Sequence, residues 1–97
     1  MKQIIFLDPA TKELTEAVAF YNERVDGLGK QFISELERTL DRIGRQPQSG
    51  RLMNSCTRRM LLSRFPYAVL YREEDKQIVI VAIMYKHRKP EYWVERD

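Results

Sequence analysis

The sequence predicts an α+β fold, and three observations carry the prediction. Between residues 9 and 44 the apolar side chains recur at three- and four-residue spacing in two successive stripes, the signature of two helices. From residue 57 onward that period gives way to short runs of β-branched and aromatic residues divided by turns. A chain of 97 residues can support only one hydrophobic core, so helices and strands must share it. The expectation is a single domain over 1–97. In it, an N-terminal strand and an antiparallel helix hairpin pack on one face of an antiparallel sheet completed by a C-terminal three-stranded meander.

The elements follow in order. "KQIIFL" (2–7) reads as a short strand, and the Asp8-Pro9 step turns the chain out of it. Asp8 suits an N-cap with Pro9 at the first helical position. Leu14, Ala17, Val18, Tyr21 and Val25 then form one apolar stripe, with Glu13, Glu16 and Glu23 on the other faces. Gly27 is the natural left-handed stop. The second stripe is Leu28, Phe32, Ile33, Leu36, Leu40 and Ile43, ending at Gly44 before Pro47. So short a link makes the helices a hairpin.

Residues 45–55 read as a polar connector, followed by strands at 57–64, 67–73 and 77–85. Pro66 marks the first reversal, and "EEDK" (73–76) closes a hairpin. Both alternating sets of the last strand are apolar: Val79, Val81 and Ile83 on one side, Ile78, Ile80, Ala82 and Met84 on the other. That strand should be central and covered on both faces. If the helices cover only one face, apolar surface on the other remains open to a partner.

Charge divides unevenly. Residues 1–50 hold seven Lys/Arg against eight Asp/Glu, a net −1, and residues 51–97 hold ten against six, a net +4. A positive C-terminal half favours an acidic partner, nucleic acid or protein. The longest apolar run, 78–85, is less than half of what crosses a bilayer, so the chain is expected in the cytoplasm without membrane contact. The single cysteine, Cys56, excludes an internal disulfide and a cysteine-based metal cluster and reads as a bystander, and no cofactor is expected.

"FYNERVDGLGKQFISELERTLDRIGRQP" (20–47), "RFPYAVLYR" (64–72) and "HRKPEYW" (87–93) together resemble the RelE/ParE superfamily of toxins from bacterial type II toxin–antitoxin systems, over almost the whole chain. The resemblance implies a small basic toxin, of the kind that stabilises plasmids, silenced by a cognate antitoxin whose C-terminal segment wraps around it. Promoter DNA would be met only through that antitoxin. RelE-like members cleave mRNA on the ribosome, whereas ParE-like members inhibit DNA gyrase. RelE-like toxins place an arginine after the tyrosine of the central strand. Here Ala68 fills that slot, and one phosphate-holding cation is missing. Many ParE-like relatives carry a histidine at the end of the last strand, where this chain has Tyr85. The ending also looks more ParE-like, so gyrase is the expected target, with a ribosome-dependent endoribonuclease or an inactive homologue as alternatives.

The candidate residues lie mostly in "MYKHRKPEYW" (84–93). Lys86, Arg88, Lys89, Tyr92, Trp93 and Arg96 are the expected target-binding set, combining cations with large aromatic anchors. Trp93 has a competing reading as a packed side chain with its indole N–H near the surface. Arg58, Arg59 and Arg64 on the first meander strand are expected to meet antitoxin carboxylates. Under the ribonuclease alternative, His87, Arg88 and Tyr92, helped by Arg59, would surround the phosphate without a metal. His87 reads first as a surface histidine past a strand end. Tyr67, Tyr71 and Phe65 read as structural.

Overall fold

The computed structural model describes residues 2–96. Strand β1 (Gln3–Phe6) leads into helices α1 (Asp8–Arg24) and α2 (Leu28–Arg45), then a 3-10 turn at Pro47–Ser49. Strands β2 (Arg51–Leu52), β3 (Arg58–Leu61), β4 (Tyr67–Glu73) and β5 (Gln77–Tyr85) complete one five-stranded sheet of order β1-β5-β4-β3-β2. The α+β architecture is the expected one. The sheet, however, is mixed, because β1 runs parallel to β5 from Gln3 opposite Gln77 to Phe6 opposite Ile80. The helical hairpin carries the chain from one edge to the other, and the meander returns in alternating directions until β5 lies beside β1.

Strand β2 falls within the stretch expected to be connector. Two residues are too short to show a period, and β2 exists only through the pairing of Arg51 with Arg59 and Leu52 with Arg58. Helix α1 starts one residue early, with Leu7 at the cap position and Asp8 already in the first turn, where its charge suits the helix dipole. Val25 falls outside the helix in extended backbone and is 59% exposed, so it does not belong to the apolar stripe. Ile33, 38% exposed, also turns outward. Gly27 takes φ +86°, a conformation that costs any side chain, and directs the chain into α2. At Gly29 a Cβ would lie 2.7 Å from the Val18 carbonyl oxygen, so the missing side chain lets the helices approach there.

Phe32, Leu36 and Ile43 of α2, with Ala10 and Ala17 of α1, pack on the sheet face formed by Met60, Val69, Tyr71, Ile78, Ile80 and Ile83. Strict alternation along β5 fails at one point. Tyr71 pairs with Ile80 and Leu70 with Ala82, so Val81 is an extra residue, a bulge. Ile83 therefore joins Ile78 and Ile80 under the helices, while Val81, Ala82 and Met84 face the other side. That second face does not stay open as expected. Trp93 and Tyr92 of the C-terminal segment, with Met53, pack over Ala68, Leu70, Val81, Ala82 and Met84. Among the described residues, no helix is long and apolar enough to cross a membrane.

Candidate functional site

The departure of β1 creates a local problem on β5. The Leu7 amide makes the last bond of that ladder, to the Ile80 carbonyl at 3.0 Å, and the chain then enters α1. Beyond it, the Val81 carbonyl and the Ile83 N–H would be left without a strand to pair with. An ion pair takes the strand's place. The Ile83 N–H donates to Glu13 at 3.0 Å, and Arg96 donates to the Val81 carbonyl at 3.1 Å. Arg96 also grips both Glu13 oxygens, at 2.9 and 3.0 Å. The Tyr92 hydroxyl completes the set, donating to Glu13 at 2.6 Å. Burial, then the hydrogen bond to Glu13, then its charge raise the Tyr92 phenol well above its ordinary value. The Arg96 guanidinium is held still more firmly charged, chiefly by its hydrogen bonds to Glu13.

This junction fixes the C-terminal segment and with it the basic run before it. Trp93 is 4% exposed and donates its indole N–H to the Pro90 carbonyl at 2.8 Å, so it packs rather than projects. Two guanidinium groups lie over the Tyr92 ring, Arg96 at 4.8 Å and Arg88 at 4.1 Å from its centroid. Lys86, His87, Arg88 and Lys89 are all exposed. The Lys86 amide bonds the Pro66 carbonyl at 2.7 Å and the Arg88 amide bonds the Tyr85 carbonyl at 2.9 Å, so the run leaves β5 in a defined turn. Among the described residues, Lys86, Arg88 and Lys89 take part in no ion pair.

The six expected target-binding residues thus divide. Lys86, Arg88 and Lys89 present free charge, whereas Tyr92, Trp93 and Arg96 are engaged in holding the segment to the sheet. Glu13, on which the arrangement turns, was not among the candidates; in sequence it looks like its neighbours Glu16 and Glu23.

The three arginines expected to meet an antitoxin also part company. Arg58 donates to the carbonyls of Gln48 and Gly50 at 3.1 and 2.8 Å, pinning the connector. Arg64 donates through its side chain to Glu35 at 3.1 Å and through its backbone at 2.8 Å, and Ser63 adds a bond at 2.9 Å. Burial works against the Glu35 charge, but these bonds outweigh it and hold the carboxyl below its ordinary value. Neither Arg58 nor Arg59 takes part in an ion pair among the described residues, and of the three Arg59 alone has no side-chain hydrogen bond there. It lies on the face away from the helices, directly opposite Arg51. Of the ribonuclease candidates, Arg88 and Tyr92 are in contact, the guanidinium lying 4.1 Å over the ring. Arg59 is two strands from β5, about 10 Å across the sheet. The His87 ring packs on Tyr85 at 5.3 Å between centroids, and the Tyr92 hydroxyl is committed to Glu13.

Comparison with known proteins gives the arrangement its family. The family model "ParE toxin of type II toxin-antitoxin system, parDE" matches residues 4–90. This chain belongs to the ParE toxin family. Among curated proteins no relative matches. A solved structure, "Chromosomal ParDE TA system from P. aeruginosa", superimposes with a TM-score of 0.76 at 16% identity, covering 88% of this chain and 96% of that one. At that identity the likeness is one of fold. In this ParE-family chain, Ala68 is 2% exposed in the layer under the C-terminal segment. The position at which RelE-like sequences carry an arginine is therefore packed with apolar contacts.

Proposed function

We propose that this ParE-family chain is the cytoplasmic toxin of a type II toxin–antitoxin system that stabilises plasmids. On this reading it acts as one domain, inhibits DNA gyrase by direct binding, and is silenced by the C-terminal segment of a cognate antitoxin, which also brings it to promoter DNA. The observation that carries the reading is the run Lys86–Lys89. It is exposed, its cations take part in no ion pair among the described residues, and it leaves β5 in a hydrogen-bonded turn backed by an anchored segment. Such a preordered cationic turn suits an acidic protein surface, because little freedom is lost when it docks.

The test uses purified protein, free of antitoxin, in two parallel assays: gyrase supercoiling of plasmid DNA, and mRNA cleavage on translating ribosomes. Inhibited supercoiling with intact mRNA is the expected result, and Lys86→Glu with Lys89→Glu should weaken inhibition by about tenfold or more. Cut mRNA with normal supercoiling would return the chain to the RelE-like alternative and send His87, Arg88, Tyr92 and Arg59 to mutagenesis. Silence in both assays would mark an inactive homologue that only binds its antitoxin.

A further inference from the structure

Next to the basic run, a chain of aromatic rings rises from the core to the surface. Phe32 contacts Tyr67 at 5.1 Å between centroids, Tyr67 contacts Tyr85 at 5.5 Å, and Tyr85 contacts His87. The outer rings frame an open slot of about 460 Å³ lined by Phe20, Tyr21, Pro66, Tyr67 and Tyr85. Phe20 is 44% exposed and Tyr85 40%. The slot shares Pro66 and Tyr67 with a cleft of about 350 Å³ bounded also by Arg64 and Lys86, and it shares Phe20, Tyr67 and Tyr85 with one of about 220 Å³ bounded also by Glu16, Ile83 and Arg88. Tyr67 lines all three, so they lie side by side as a furrow where β4 begins and β5 ends.

Three features of the furrow define its occupant. Its centre is aromatic, the kind of surface that anchors a large apolar side chain. The hydroxyls of Tyr21, Tyr67 and Tyr85 bond no other described residue, which leaves three amphoteric groups for a main chain laid along the slot. Its rim is mostly cationic: Lys86 and Arg88 flank the slot and Arg24 lies 4.4 Å over the Phe20 ring, while Glu16 is the acid on the wall not held in an ion pair among the described residues. A nucleic-acid strand would bring phosphates against Glu16. A polypeptide can set its carboxylates beside the cations and keep the acidic wall clear.

We infer that the furrow docks an acidic segment of a partner polypeptide, seating one large apolar side chain between Phe20 and Tyr85 with carboxylates beside Lys86 and Arg88. The inference rests on the reading of this chain as a toxin held by an antitoxin and assigns the antitoxin's anchor to this furrow.

The test is fluorescence anisotropy of the full chain with four labelled probes. They are a ten-residue peptide of Glu and Asp around one Phe, the same peptide with Gly for Phe, a Lys-flanked Phe peptide, and a ten-nucleotide thymidine strand. The acidic Phe peptide should bind tightest, with the others weaker by about tenfold or more. Phe20→Ser with Tyr85→Ser changes two already exposed side chains; with the fold verified by circular dichroism, it should weaken that peptide by about 30-fold. Lys86→Glu, as a second variant, should weaken the acidic peptide and strengthen the Lys-flanked one. Tighter binding of the thymidine strand, no binding of the acidic peptide, or equal binding by the folded double variant would each overturn the inference. Wild-type supercoiling measured in parallel separates the two readings: peptide binding without gyrase inhibition sinks the gyrase target and leaves the furrow standing, and the reverse result does the opposite.

Discussion

Glu13 accepts from the Ile83 amide, the Tyr92 hydroxyl and the two terminal guanidinium nitrogens of Arg96, a heavy load for one carboxylate on the polar side of a helix. It can do so because β1 ends while β5 continues, which leaves room for a side chain where a strand would otherwise pair. Glu13→Gln should cost about 1.5 to 3 kcal/mol in thermal or denaturant unfolding, the range for hydrogen bonds to charged groups. Faster amide exchange over residues 90–96 would show that the loss is seated in this segment. The same variant should let the Tyr92 phenol ionise at lower pH, read by ultraviolet titration, because two of the influences that raise it come from Glu13. Since the folded phenol ionises above its unfolded value, its stabilising contribution is full below the unfolded value and fades as pH rises through the folded one. Glu13→Gln should therefore flatten the alkaline limb of the stability profile.

At the scale of elements, Glu35 joins α2 to the turn between β3 and β4 while its side chain is only 3% exposed. Its carboxyl ionises below the ordinary value in the folded chain, so its contribution is present above the unfolded value and is lost as pH falls through the folded one. Glu35→Gln should remove that acid-side loss and cost about 1 to 3 kcal/mol at neutral pH, measured as urea unfolding across pH. A variant as acid-sensitive as the parent would show that other carboxylates govern the acid limb. In the link between the helices, Gly27→Ala meets no neighbour within 4 Å, so its cost is purely that of a left-handed backbone, about 1 to 2 kcal/mol.

Over the whole molecule, the sheet has two coverings of unlike strength: a helical hairpin on one face, and on the other a short C-terminal segment resting on Trp93. Trp93→Ala should destabilise the fold by about 3 to 5 kcal/mol, while Lys89→Glu should leave stability within about 0.5 kcal/mol. Unfolding curves for both variants separate the part of the ending that holds the fold from the part that carries free charge. Truncation after Lys89 would uncover Ala68, Leu70, Val81, Ala82 and Met84 at once, so lost function in such a protein would report lost packing as much as a lost contact.

The sequence by itself determined the α+β class, the two helices, three of the meander's strands and the basic ending, because each is written in local periods, turn residues or charge counts. It also pointed to Phe65 and Tyr71 as structural, and both are buried. Only the tertiary structure decided that β1 runs parallel to β5, that β2 exists, and that the bulge at Val81 turns Ile83 under the helices, since strand pairing joins residues that no local period connects. It also separated Lys86, Arg88 and Lys89 from Tyr92, Trp93 and Arg96 within one short basic and aromatic run. The physical reason is distance along the chain: Glu13 and Arg96 are 83 positions apart. What joins them is the need of β5 to satisfy its backbone after β1 has left, a need that arises only in the folded sheet.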